Sequence, residues 1–352
     1  MDWIAQCKAK AWNRIAFIGA SKHAGKTTAM NAFISTAISD DMTLGLCSIG
    51  LDGERLDTIL GVEKPPVYAP VGTLVASAEA ALEASEAVFE YIEDTGISSP
   101  LGNILIARTE TSGHVVLAGV RQRRHIQTVV PMLQALGAEI CLVDGAFSRV
   151  AAATPDLVDA VVLSVGAVLG TSADRVAAAA RPFLLRFQLP EVTMSIRKRL
   201  QAVVEAGDIG IWTGSEVVKF PRHQGVLGLS SHHSWPTQVK ALWLPGAVTD
   251  EVLQGLRSQP RGIELVAAHP AQVTAGREAL QRWFRNGHRL SVWRQVPVAA
   301  ITVNPHSITG YDLSSETLVA AIAELAPGIP VLNARATAAT VNRGTVSRGG
   351  VL

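Results

Sequence analysis

Between Arg14 and Ser39 three segments follow one another with no residues to spare. They are an apolar run (Arg14-Ile15-Ala16-Phe17-Ile18-Gly19), a short polar turn (Ala20 to Ala24), and a stretch from Gly25 with apolar residues at helical spacing (Met30, Phe33, Ile34, Ile38) that stops at Asp40-Asp41. The first reads as a buried strand and the third as a helix. A strand that runs straight into a helix belongs to a sheet whose strands are joined through helices, which is the α/β arrangement. The pattern recurs along the chain. Thr43 to Ile49, Ala138 to Val143 and Ala160 to Val165 read as strands, and Ile126 to Leu136 as a helix. Thr171-Ser172-Ala173-Asp174 looks like a capping box opening a helix to about Phe183. Residues 3 to 12 read as a short amphipathic helix, residues 73 to 93 as an alanine- and glutamate-rich helix or helix pair, and Leu101–Thr109 with His114–Val120 as a hairpin.

A length of 352 residues suits about two domains. The pattern breaks near Gln188-Leu189-Pro190, and a second α/β pattern follows. Its strand candidates are Ala241–Leu244, Ile263–Ala267, Leu290–Val292, Val298–Val303 and Pro330–Leu332, with helices near 249–257, 270–284 and 314–325. The expected organisation is a nucleotide-binding domain with a mostly parallel sheet over residues 1–188, a second, smaller α/β domain over 189–335, and a flexible tail over 336–352. With 48% hydrophobic and 17% charged residues the chain is not of the disordered class. A net charge of +1 argues against a nucleic-acid partner held by a broad basic face. The 3 cysteines are far apart, which excludes a disulfide scaffold and suits a reducing compartment. The most apolar segment, Ala160 to Gly170, falls short of the roughly 20 residues a spanning helix needs. A cytoplasmic protein with no membrane partner is expected.

Ala20-Ser21-Lys22-His23-Ala24-Gly25-Lys26-Thr27 fits the phosphate-binding P-loop pattern G-x-x-x-x-G-K-[ST], with Ala20 where the first glycine usually stands. Gly25 lets the backbone turn its N–H groups around a phosphate, and the following helix aims its positive dipole end at the same anion. Lys26 would reach the β and γ phosphates, and the Thr27 hydroxyl would coordinate Mg²⁺. The contact set expected for the nucleotide is Ala20 through Thr28. Gly19, directly before Ala20, relaxes the turn in place of the missing glycine. Glu139-Ile140-Cys141-Leu142-Val143-Asp144-Gly145 is an apolar strand ending in a carboxylate, a Walker B pattern, so Asp144 is the expected metal residue. Asp52, with Glu54 second, is a candidate for orienting the attacking water, although a solvated loop accounts for these residues equally well. No N-K-x-D occurs, which favours ATP over GTP.

Other features have plainer readings beside the functional ones. Arg121-Gln122-Arg123-Arg124-His125 either grips a phosphate or an acidic partner or is a solvated helix start. His223, His232 and His233 lack the carboxylate or cysteine spacing of a metal site. Cys47 and Cys141 sit in apolar strands and read as inert core residues. The loop Val303 to Asp312 follows a strand of the expected second domain. It is either a ligand or partner contact, or a turn capping the next helix.

Taken in order, several of these segments resemble one family. They are the phosphate loop, Ser48-Ile49-Gly50-Leu51-Asp52-Gly53-Glu54, Lys64-Pro65-Pro66-Val67-Tyr68, Gly72-Thr73-Leu74, Val143 to Arg149, Leu244 to Asp250 and Val303 to Tyr311. Together they are similar to the P-loop subunit of the lysine 5,6-aminomutase reactivase, which serves adenosylcobalamin-dependent aminomutases of lysine and ornithine. The resemblance spans roughly residues 14 to 335. It implies an ATPase of low basal activity that opens the aminomutase so that damaged cobalamin can leave, working beside a second, MutS-like ATPase subunit. Lys26 and Thr27 would then serve the nucleotide, Asp144 the Mg²⁺ and Asp52 the hydrolytic water. The basic run at Arg121–Arg124 is not a family feature, and no D-x-H-x-x-G cobalamin signature is present. Other readings of the same loop are a small-molecule ATP-dependent ligase or kinase similar to dethiobiotin synthetase, and a non-catalytic nucleotide-binding scaffold.

Overall fold

The structure is a computed structural model, and it describes residues 3–49, 56–57, 62–63, 66–145, 153–222, 236, 238–256 and 261–335. Asp52, Glu54, the histidines at 223, 232 and 233, residues 64–65, residues 146–149 and the tail from 336 lie outside the described residues. The chain divides into two compact units: one takes residues up to Ala180 and those from Pro297 on, and the other takes Arg181–Val296.

The first unit is built on a nine-stranded sheet. Its strands are β1 (Arg14–Gly19), β2 (Leu44–Ile49), β3 (Leu74–Ala78), β4 (Phe89–Ser99), β5 (Gly102–Thr109), β6 (Ile140–Gly145) and β7 (Ala160–Gly166). Two more come after the second unit and are numbered β13 (Val298–Asn304) and β14 (Val331–Asn333). The spatial order is β14-β13-β7-β1-β6-β2-β3-β5-β4. All neighbours from β14 to β3 pair in parallel, and the β4–β5 hairpin closes the sheet antiparallel. β1, β2, β6 and β7 are apolar on both faces and almost wholly buried, as central parallel strands must be. One face carries a core of Ile15, Phe17, Leu44, Leu46, Leu142 and Val162, packed by Trp3 and Ile4 of α1 (Trp3–Lys10) and Met30, Phe33 and Ile34 of α2 (Lys26–Ser39). Arg14 anchors the start of β1, donating from Nε and Nη2 to Asp159 Oδ1, while Asp159 Oδ2 takes the N–H groups of Asn13 and Arg14.

Three expectations are corrected here. Residues 73–93 are not a helix or helix pair: they hold β3, the five-residue helix α3 (Glu79–Glu83) and the start of β4. Every residue of β3 is buried, Ala76 and Ala78 completely so, between β2 and β5. The partner of β5 is β4, and the segment after it gives only a short strand (Gly113–Val115) paired with Val67–Ala69. Finally, β13 and β14 do not belong to a smaller following domain. They add to the first sheet, because the apolar run of β13 is buried on both faces against β7.

The second unit has a five-stranded sheet in the order β9-β8-β10-β11-β12. The strands are β8 (Ile209–Trp212), β9 (Val217–Phe220), β10 (Ala241–Leu244), β11 (Glu264–Ala267) and β12 (Arg289–Val292). Alternate residues serve opposite faces. Leu242, Leu244 and Leu265 meet the later helices near Leu253 and Leu280. Ala241, Trp243 and Val266 meet Ile196, Leu200 and Val203 of the helix Met194–Ala206, which, like β8 and β9, has no counterpart among the expected elements.

His288 lies at the rim of the first of these cores, only 4% exposed and stacked on Trp283 with ring centroids 4.2 Å apart. Burial, with the nearby Arg261 charge, holds its imidazole below the ordinary value. The folded state therefore disfavours protonated His288, and stability is lost as pH falls through about 6.5, where the unfolded chain takes up the proton. The melting temperature is expected to fall between pH 7 and pH 5, and to fall less in His288→Phe, which keeps the stacked ring. Equal pH slopes in both proteins would sink this assignment.

Candidate functional site

The site forms where β1 ends and α2 begins, at the carboxyl edge of the parallel sheet. Such edges are where α/β proteins bind ligands. The strand order puts β6 on one side of β1 and β7 with β13 on the other. Phe17 of β1 is in register with Asp144 of β6, which in turn pairs with Ser48 of β2. Asp144 thus stands one strand away from the loop, as the sequence implies.

The turn itself contains two left-handed residues. Gly25 caps α2 with φ +92°, a left-handed conformation open to glycine. His23 is also left-handed, at φ +58°. Ala20 has no positive φ and donates its N–H to Ser164 O of β7 at 2.8 Å, so a methyl group is tolerated where the pattern has glycine. The crowded glycine is its neighbour: a Cβ on Gly19 would stand 2.9 Å from Ser21 O.

Lys26 and Asp144 are brought together. Lys26 Nζ is 2.6 Å from Asp144 Oδ1, with both side chains 18% exposed, and it also donates to Gly145 O. At that exposure the pair is partly shielded from water, so each charge matters to the other more than a surface pair would. Thr27 and Thr28 follow on the first turn of α2, half-buried, and Ser21, Lys22, His23 and Ala24 form the turn. Sequence reasoning did not single out Ser48. It is 5% exposed near the end of β2, and its Oγ, like Ser21 Oγ, is buried without a hydrogen-bond partner among the described residues. A buried oxygen of this kind calls for a partner such as a water or an ion. A Thr hydroxyl and an Asp carboxylate are hard oxygen donors, the set that fits Mg²⁺, which takes few protein ligands and keeps several waters.

Within the Arg121–His125 run, the structure places Arg123 in a contact inside the chain. Arg123 is held by Asp156, which also accepts from Gln127 Nε2 at 3.0 Å, at the start of the helix Arg123–Ala135. Cys47 and Cys141 are buried, and burial pushes the Cys141 thiol up to about 12, so it stays protonated. Among the described residues no helix is long and apolar enough to cross a membrane.

Compared with known proteins, the chain matches no family model and no curated protein.

Proposed function

We propose that the first unit is a P-loop NTPase domain that binds Mg²⁺–ATP, with residues 20–28 around the phosphates. The observation that supports this best is the Lys26–Asp144 contact at the head of a helix entered through left-handed Gly25. A lysine and a carboxylate so placed can separate onto the two components of the ligand. Lys26 would pair with the β and γ phosphates, while Thr27 and Asp144 would hold the Mg²⁺ that neutralises phosphate charge. Catalysis by such a site is positioning and charge stabilisation, with Asp52 the candidate for the attacking water.

The same contact couples the two ligands. Taking Lys26 away from Asp144 without Mg²⁺ leaves a partly buried carboxylate uncompensated. Asp144→Asn is therefore expected to bind Mg²⁺-free ATP about tenfold more tightly than the wild type, on the order of 1–1.4 kcal/mol for a partly shielded pair. It should also lose most of the gain that Mg²⁺ brings. Calorimetry with and without chelator reads both. Unchanged Mg²⁺-free affinity in the variant would remove the coupling.

We further propose that nucleotide turnover drives the remodelling of an adenosylcobalamin-dependent lysine or ornithine aminomutase, together with a second MutS-like ATPase subunit. The support is the ordered set of segments from the phosphate loop to Val303–Tyr311. The test is Mg²⁺–ATP hydrolysis by the purified chain, alone and with the aminomutase. Low basal turnover that rises with the aminomutase is the expected result. Hydrolysis or transfer that depends instead on a small carboxylate or amine would favour the ligase or kinase reading, which is the second choice because the polar segment after Asn304 lies beside the loop.

A further inference from the structure

The segment after β13 reaches the phosphate loop from the side opposite Asp144. Asn304, the last residue of β13, donates from Nδ2 to His23 O at 3.4 Å. Its Cβ stands 2.7 Å from where a Cβ on Gly25 would be. Its Oδ1 accepts from the His306 N–H at 3.3 Å. One side chain thus touches both left-handed residues of the turn and fixes the start of its own loop. That loop is closed on itself: the Ser307 N–H donates to Tyr311 O and the Leu313 N–H to Pro305 O, each at 2.9 Å. His306 Nδ1 meets Asp312 Oδ1 at 2.8 Å. It is also fastened to the next strand end, where Tyr311 OH donates to Ala167 O at 2.8 Å. Gly166, one residue earlier, packs so tightly that a Cβ there would meet Ala24 Cα at 2.9 Å.

We infer that Asn304 is a positioning residue that holds residues 23–25 in their phosphate-wrapping shape. The inference rests on the nucleotide-binding reading above. By taking the His23 carbonyl, the Asn304 amide fixes the orientation of the peptide that follows His23, next to a turn that Ala24 N–H to Ser21 O already closes. A loop held in this way does not have to be ordered when an anion arrives, so the brace adds to affinity without contacting the ligand. Its effect must then be the same for any ligand that fills the loop with phosphate, whatever else that ligand carries.

The test compares Mg²⁺–ATP with Mg²⁺–tripolyphosphate by calorimetry on the full chain, for wild type, Asn304→Ala and Tyr311→Phe. Asn304→Ala should weaken both ligands by a similar factor of about five to ten, in the range of one neutral hydrogen bond. Tyr311→Phe removes only the outer fastening. It should weaken both by about twofold, and it keeps the test alive if Asn304→Ala does not fold. Loss for ATP alone would overturn the inference, because it would make Asn304 a contact to base or sugar. Wild-type affinities in folded variants would overturn it too, as would a lowered melting temperature with affinity untouched. Failure of the wild type to bind either ligand would instead bring down the nucleotide reading, and this inference with it.

Discussion

Lys26→Ala is expected to weaken Mg²⁺–ATP binding by about 100-fold or more while leaving the fold in place. The lysine would make two charge-assisted contacts to the triphosphate, each worth about 1.5–3 kcal/mol, and 1.4 kcal/mol is a factor of ten. The substitution also leaves Asp144 without its counter-charge, so a small drop in melting temperature accompanies the loss of binding. Lys26→Met, which keeps the stem, separates packing from charge: it should bind as poorly as the alanine variant. Calorimetric affinities within threefold of wild type would sink the phosphate-loop reading as a whole, because each functional role proposed here depends on this ammonium group.

Gly25→Ala is expected to damage both folding and binding. Two costs add. The residue is held at φ +92°, where a side chain costs about 1–2 kcal/mol. The new Cβ would also lie 2.7 Å from Asn304 Cβ, a separation that cannot be kept. For a domain of this size each 1 kcal/mol lowers the melting temperature by about 2–4 °C, so a drop of several degrees should accompany at least a tenfold loss of affinity. The two costs can be separated by a double-mutant cycle. Gly25→Ala placed on Asn304→Gly should cost less stability than on the wild type, since the clash is gone and only the backbone penalty remains. Wild-type melting and affinity in the single variant would show that the turn is not left-handed.

Much of this site is legible in the sequence because its parts are local. Arg14–Gly19, the turn and the helix from Lys26 are consecutive, and their periodicities are unmixed. The place of Asp144 is legible because the apolar run before it reads as a strand that ends there. Residues 73–93 show the limit of such reasoning. Alanine and glutamate favour helix in isolation, yet Leu74–Ala78 lies beside β2 and the buried sheet decides. Asn304 shows the other limit. It acts on a residue 281 positions away, and no local pattern carries a contact of that separation. Its neighbours look like a loop of a following domain, and only the pairing of β13 with β7 brings them to the turn. Ser48 escapes notice for a related reason: its burial beside Asp144 comes from strand register, not from composition.

That β13 joins the first sheet only after the excursion through Arg181–Val296 has a consequence for how the molecule is made. A ribosome makes the turn at residues 20–27 well before Asn304, which lies 281 positions beyond His23. From the synthesis of Asp144 until that of Asn304 the emerging chain carries the ammonium group, the carboxylate and the helix, but lacks the side chain that touches His23 and Gly25. On the reading proposed above, competence to hold a phosphate in a preformed loop would then be acquired only once Asn304 is made, and nascent chains halted before it would contain the motif without its buttress.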